Sequence, residues 1–530
     1  MRLSFVWTVS YNVRAMKSDR RGLGFFLAVA AFFAAVIGGG RWWYEGARVV
    51  RFGAERTGYL HYDFVDLRLS TLDPALRADF AASPPRAVVA RDGETLTTIA
   101  GIREMTLAHV GPGQWMARWP VPWNAPPGEY LPVLLGREDL KDRVRVAPFR
   151  VGRRAPAPLP KGFVVLSLES VAPLATMRVK APDGTTKDWR GLLDWAKDVG
   201  ADSFWVLGGQ SPGLQDGQVW VDTNLKILHE VARECRARGL KFGTYAMYSL
   251  TMSKTVKLPY EYGLEIKDGK PVQTRAVSLR EPKRIDDVVR LLKPFADDPN
   301  VDFVGLDYIR NALGGYELVD DFIAEMPGVS VPAEWAKLSR DERMVWLARK
   351  KIMRKDAAFI DAWQWWRARR VALIVKEIKR RLGDKKPLWA FTLTWEKGWH
   401  HGQDPVMMND AGVDYDALMF YEADKPQYDA MLKAWHEYVR RGDVQLVPGD
   451  IFDWGLHQKD PAGPAEFGRR MRRAIDDVYG DGPAQAVFFH DAARLLWGRL
   501  GPWGTRAWAD EARSISRYVK SKSALPEKKP

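Results

Sequence analysis

The chain has 530 residues, a formal net charge of +14, 46% hydrophobic residues and one cysteine. That composition excludes wholesale disorder and collagen-like repeats, and a lone Cys235 excludes an intramolecular disulfide framework and a Cys-rich zinc module. The charge does not argue for nucleic acid. Residues 1–21 carry Arg2, Arg14, Lys17, Arg20 and Arg21 against Asp19, and residues 517–530 carry Arg517, Lys520, Lys522, Lys528 and Lys529 against Glu527. Eight of the charges therefore sit at the two ends. Between them no basic stripe with interleaved aromatics appears, so no nucleic-acid partner is expected.

Residues 22–40, GLGFFLAVAAFFAAVIGGG, carry no charge. A helix of that length just spans a hydrocarbon core of about 30 Å. The basic cluster precedes it, and Trp42, Trp43 and Tyr44 follow where an interfacial aromatic belt belongs. This predicts a cytoplasmic N-terminus and an exported body, with segment 1–45 a retained transmembrane anchor or a cleaved signal helix.

Residues 46–152 read as an accessory β-sandwich. Short β-branched runs such as Thr95 to Ile99 recur between Gly and Pro turns, and Pro126-Pro127-Gly128-Glu129-Tyr130 feeds a strand before a last one over Val144 to Val151. The PPGEY phrase resembles the penultimate strand of bacterial immunoglobulin-like modules. Residues 153–161, RRAPAPLPK, form a Pro-rich linker.

From residue 162 to 519 apolar runs alternate eight times with amphipathic helical stretches. The runs are Phe163–Leu168, Ser203–Leu207, Lys241–Ala246, Phe303–Leu306, Leu388–Leu393, Ala417–Tyr421, Gln445–Val447 and Ala486–Phe489. Eight such units predict an α/β fold of the (β/α)8 TIM-barrel type. A doubly wound sheet is the alternative, but it would not need eight units, and no Gly-rich phosphate loop follows the first run. Insertions at 249–283, with an Asp268-Gly269 hairpin signal, and at 311–362 follow the third and fourth runs. Residues 520–530 read as a disordered tail.

In such a barrel the residues ending the strands meet at one mouth. Here they include Glu169, Tyr245, Asp307, Tyr308, Arg310, Trp395, Glu396, Tyr421, Glu422, Asp450, His490 and Asp491, with Trp399 and Trp454 close behind. Carboxyls terminate most of the strands, which suits glycoside hydrolysis, where one carboxyl acts as acid and another as nucleophile or base. The loop tryptophans offer flat faces to pyranose rings. Asp307 is the expected nucleophile or stabiliser, Glu396 the general acid and Glu422 its competitor; the other strand-end groups are assigned to substrate. Carboxylates after strands also cap helices, and Asp302 and Asp416 look like turn residues. Trp363, Trp365 and Trp366 read as helix core.

Other chemistries fit worse. Gly209 to Gly213 match the letters of a nucleophile elbow, but Pro212 lacks the N–H its oxyanion hole needs. Adjacent His400 and His401 make no metal-binding spacing, and buried Cys235 reads as a small packing residue, so neither metal nor cofactor is expected.

VDFVGLDYIR at 301–310, the arginines 367–370, GQDP at 402–405 and GVDYDALMFY at 412–421 resemble segments of a bacterial glycosyl-hydrolase-like family related to glycoside hydrolase family ten. The resemblance covers roughly residues 160–515. It implies a TIM barrel acting on envelope or extracellular polysaccharide, with Asp307 at the position of the fourth-strand acid. Phe303 and Leu418 depart from that pattern where Gly and Pro are usual. The expected function is an exported glycoside hydrolase with a glycan substrate, a membrane contact through the N-terminal helix and no obligate protein partner. The alternative is a non-catalytic polysaccharide-binding or envelope scaffold protein on the same barrel.

Overall fold

A computed structural model describes residues 28–34, 49–95, 104–170, 173–209, 214–215, 218–219, 221–249, 259–310, 314–353, 356–394, 402–421, 424–441, 443–453 and 463–526. Residues 28–34 of the apolar run are helical. Among the described residues no helix is long and apolar enough to cross a membrane, and most of the 22–40 run lies outside them.

The N-terminal module packs two sheets face to face. One orders Val144–Ala147, Val50–Ala54, Phe64–Thr71, Gln114–Pro120 and Ala108–Gly111; the other contains Gly58–Tyr59, Phe149–Val151, Gly128–Leu135, Arg86–Arg91 and Glu94–Thr95. Period-two burial explains the pairing: Val65, Leu67 and Leu69 point inward with Trp115, Ala117 and Trp119 opposite, and Asp66, Arg68, Met116 and Arg118 between them lie on the outer side. The single last strand expected over Val144 to Val151 is two strands. It breaks at Pro148, and its halves join different sheets, because proline cannot donate to the ladder at the crossing. Residues 96–99 of the Thr95 to Ile99 run lie outside the described residues.

Eight parallel strands then close into a barrel: β1 (Phe163–Leu168), β2 (Ser203–Gly209), β3 (Lys241–Met247), β4 (Phe303–Asp307), β5 (Leu388–Leu393), β6 (Tyr415–Met419), β7 (Leu446–Ile451) and β8 (Ala486–His490), with β8 hydrogen-bonded back to β1. The helices around it are α1 (Arg190–Asp198), α2 (Val221–Ala237), α3 (Lys283–Asp297), α4 (Ala357–Leu382), α5 (Pro405–Ala411), α6 (Lys425–Arg441), α7 (Pro464–Tyr479), α8 (Ala492–Trp497) and α9 (Thr505–Ser523). Alternation assigns each residue a side. Phe163, Val165, Trp205, Tyr245, Phe303, Trp389, Phe391, Tyr415, Met419, Val447 and Phe488 form the inner cluster. Their neighbours Val164, Leu166, Phe204, Val206, Val304, Leu306, Leu418 and Phe489 join the strand–helix layer, as do Trp363, Trp365 and Trp366. Gly305 is where the interior demands glycine, since a Cβ there would overlap the Trp389 ring.

The hairpin of the first insertion is present as Tyr262–Lys267 paired with Lys270–Val277, turning through left-handed Asp268 and Gly269. Glu317, in the second insertion, accepts from Leu264 N at 2.7 Å and Ser278 Oγ at 2.8 Å and so ties the two insertions together. Residues 520–523, expected in a disordered tail, are helical, and residues 527–530 lie outside the described residues. Helix α9 runs to Ser523, held by Lys520 on Asp202 at 3.0 Å and Lys522 on Asp476 at 2.8 Å.

Candidate active site at the barrel mouth

The same alternation that builds the core decides what reaches the mouth. On β4, Phe303 and Gly305 face inward, so Asp307 does too. On β3 the inward residue below the rim is Tyr245, and on β1 the inward series Phe163, Val165, Ser167 continues to Glu169. His490 ends β8 on the inner side, and Tyr421, just beyond β6, packs against the inner cluster. The carboxyls of Glu169, Asp307 and Asp491 and the phenol of Tyr421 all act electrostatically on Tyr245, whose complete burial, with these neighbours, keeps its proton on far above the usual range. One cluster therefore unites Glu169, Tyr245, Asp307, Tyr421, His490 and Asp491.

Asp307 is 3% exposed. Burial is the dominant influence and lifts its acid to about 6, against the opposing pull of the Arg310 charge and a 2.7 Å hydrogen bond from Tyr308 N. That amide reaches back because Tyr308 adopts a left-handed φ of +48°, uncommon for a side chain of this size. Ser249 holds the turn by donating its N–H to Tyr308 O at 3.0 Å, and its hydroxyl donates to the same oxygen. Arg310 makes no ion pair with Asp307; its guanidinium stacks 4.4 Å over the Tyr308 ring, and its buried Nη1 has no hydrogen-bond partner among the described residues.

His490 lies parallel to the Tyr421 ring, 5.1 Å between centroids and 5° between planes. Its Nδ1 is 3.4 Å from Ser167 Oγ and its Nε2 is 3.6 Å from Glu169 Oε2. Burial, with the Arg494 charge adding to it, pushes the imidazole down to about 3, so the ring is neutral. Asp491 serves the backbone. Its Oδ1 accepts from Arg494 N at 2.8 Å, capping α8, and its Oδ2 accepts from Glu169 N at 2.6 Å, fixing the exit of β1. Burial raises this carboxyl to about 6 as well.

Two expected residues take other places. Asp450 sits at an outward position of β7, between inward Gly449 and Ile451, and meets the helix layer instead of the mouth: Arg470 and Glu466 of α7 act on it, and it acts on Tyr428 of α6. Asp416 is not a turn residue; it is fully buried on the outer side of β6, 3.3 Å from Thr392 Oγ1, and its Oδ2 has no partner among the described residues. Glu396, Trp395, Trp399, Glu422 and Trp454 lie outside the described residues. Ser167 and Ser249 were not singled out from sequence; Ser167 is the one polar residue within the run Phe163–Leu168, and that is the signal that marks it. Among the described residues no group of three or more His, Cys, Asp or Glu side chains is placed to hold a metal ion.

Fold and mouth define a (β/α)8 barrel with carboxyls gathered at the C-terminal ends of its strands. No protein-family model and no curated protein matches the chain. Solved structures similar to it include a pullulanase from Paenibacillus barengoltzii bound to maltohexaose and α-cyclodextrin (11% identity, TM-score 0.34, covering 88% of this chain and 80% of that one). Others are an exo-β-1,4-mannosidase from Opitutaceae bacterium strain TAV5 (13%, 0.38, 71% and 62%) and endo-glycoceramidase II from Rhodococcus sp. (14%, 0.35, 66% and 77%). The chain thus spans less than two thirds of the mannosidase. Likeness at these scores carries no argument about activity, and the barrel assignment rests on its own closed ladder of eight strands.

Proposed function

We propose that this chain is an exported, membrane-anchored glycoside hydrolase that cuts glycosidic bonds in an envelope or extracellular polysaccharide. The observation that carries the reading is Asp307: a buried, proton-retaining carboxyl on the inner face of β4, sharing the mouth with Glu169 and Tyr245. A carboxyl that keeps its proton to about 6 is suited to protonate a leaving glycosidic oxygen, which favours Asp307 as the general acid over the nucleophile or stabiliser expected from sequence. The second carboxyl, acting as base or nucleophile, is drawn from Glu169, Glu396 and Glu422. Its distance from Asp307 sets the outcome, about 5–5.5 Å for retention and about 6.5–9.5 Å for inversion. His490, neutral and stacked on Tyr421, orients Glu169, and Arg310 keeps a donor for substrate. The resemblance of residues 301–310 and 412–421 to the family related to glycoside hydrolase family ten supports the substrate class. The uncharged 22–40 run behind a basic cluster supports export and anchoring.

The test uses the full-length chain against peptidoglycan glycan strands and capsule-type polysaccharides, reading new reducing ends and their anomeric configuration. Turnover by the native chain and its loss in Asp307→Asn are expected. A native rate in Asp307→Asn overturns the assignment, and glycan binding without turnover by the native chain overturns the enzymatic reading.

A further inference from the structure

The N-terminal module docks on the flank of the barrel, and charges at that junction are matched. Arg153 pairs with Asp410 at 2.8 Å and Asp443 at 3.0 Å, Arg154 with Asp414 at 3.0 Å, and Arg369 with Glu325 at 3.3 Å. His61, fully buried, shares Asp410 at 2.8 Å. One place breaks the pattern. A cleft of about 510 Å³ opens between the module and α4, and Arg56, Arg150 and Lys376 line it, with Asp63 the one carboxylate among the described lining residues. Asp63 is engaged by Arg56 at 3.3 Å and by Leu60 N at 2.8 Å. Arg150 and Lys376 are exposed and make no ion pair among the described residues. Two tyrosines underlie the charges: Arg56 lies 4.4 Å over the Tyr59 ring, and Lys376 Nζ lies 5.1 Å from the Tyr62 ring.

Cations brought from two modules into one concavity repel each other, and a concave wall focuses their field outward. Where a fold tolerates such a local conflict, a ligand is the usual reason. The volume lies within the range of small-molecule sites and well above that of a single inorganic anion. We propose that this cleft is a second binding site that takes the carboxylate or phosphate groups of an acidic saccharide, with Arg150 and Lys376 as its anion anchors. The choice of a saccharide rests on the carbohydrate reading of the barrel; the choice of an anion rests on the cleft alone.

The experiment uses full-length Asp307→Asn protein in detergent, so that no turnover consumes the probe, and measures binding of oligogalacturonate, neutral dextran and inorganic phosphate. Vesicles of three parts phosphatidylglycerol to seven of phosphatidylcholine form a further arm. Oligogalacturonate should bind and dextran should not. R150E/K376E should weaken binding at least tenfold and flatten its salt dependence, and R150Q/K376Q should do so partly at an unchanged melting temperature. The control reversal K141E/K433E, at exposed cations elsewhere, should stay within twofold. Equal loss in the control overturns the site. So does oligogalacturonate binding unchanged in R150E/K376E. Vesicle binding that needs Arg150 and Lys376 while oligogalacturonate fails to bind, or phosphate that binds as tightly as oligogalacturonate, overturns the saccharide assignment. A native chain that binds through the cleft but turns over no glycan removes the enzymatic reading and leaves the cleft standing.

Discussion

Asp307 is the last residue of β4 and Asp450 the last but one of β7; both are buried, and burial raises both acids, to about 6 and about 7. Chemically they differ in the side of the sheet they face. Asp307 follows inward Gly305 and opens on the mouth beside Tyr245, whereas Asp450 follows inward Gly449 and points into the layer between sheet and helices, near Arg470. A raised acid at a strand end is therefore no sign of function until its parity along the strand is known. A single-residue step separates a group that can meet substrate from one that meets only protein.

The sharpest way to break this comparison is to remove both charges and read activity. Asp307→Asn should cost 10²-fold or more in kcat on a cleavable glycan, roughly 3 kcal/mol of transition-state stabilisation. Asp450→Asn should stay within about twofold in the same assay. Comparable losses would erase the distinction between the two faces. The pH profile carries the same contrast: an acid that must hold its proton loses rate as pH rises through about 6, and Asp307→Asn should abolish that alkaline limb.

Next in size is stability. Folded Asp450 binds a proton that an unfolded Asp, with a pKa near 3.9, releases, so its contribution is fully present below about 4 and is lost as pH rises to about 7. Chemical denaturation across that window should show a decline of roughly 2–4 kcal/mol that is flattened in Asp450→Asn. Asp416, raised by burial and by neighbouring Asp404, should behave likewise: Asp416→Asn, which keeps the Thr392 bond, should gain about 1–2 kcal/mol at neutral pH. The smallest effect is expected from Ser167→Ala. Loss of one weak contact to His490 should change stability by less than about 1 kcal/mol and displace the His490 ring signals in an NMR spectrum.

Much of the barrel was legible because its strands are buried on both faces and so read as unbroken apolar runs: Phe163–Leu168 and Leu388–Leu393 match to the residue. That same legibility hid the site. A run that is apolar throughout carries no visible alternation, so which strand-end carboxyl turns inward could not be read from it, and Asp450 was placed with Asp307. The sixth strand begins at Tyr415, two residues earlier than expected, because a polar Asp416 beside a glycine-led turn looks like loop until Thr392 is seen to shield it. Asp491 was recognisable as a residue after a strand, yet its use as the cap of α8 and the acceptor for Glu169 N depends on β1 lying beside β8. The break at Pro148 carried a local signal. Which sheet each half would join was a question of long-range pairing.

The first strand of the module has a mechanical consequence. Val50–Ala54 is not an edge strand; it is paired in parallel with Val144–Ala147 on one side and antiparallel with Phe64–Thr71 on the other. Tension arriving along the chain from residue 49 would pull across both ladders at once, in shear, so that many hydrogen bonds share it and none is peeled alone. From Val144–Ala147 the covalent path leads through Phe149–Val151 to Arg153 and Arg154, which grip Asp410 and Asp414 on the barrel. Load entering at the first strand would therefore pass along this path to Asp410 and Asp414 on the flank of the barrel.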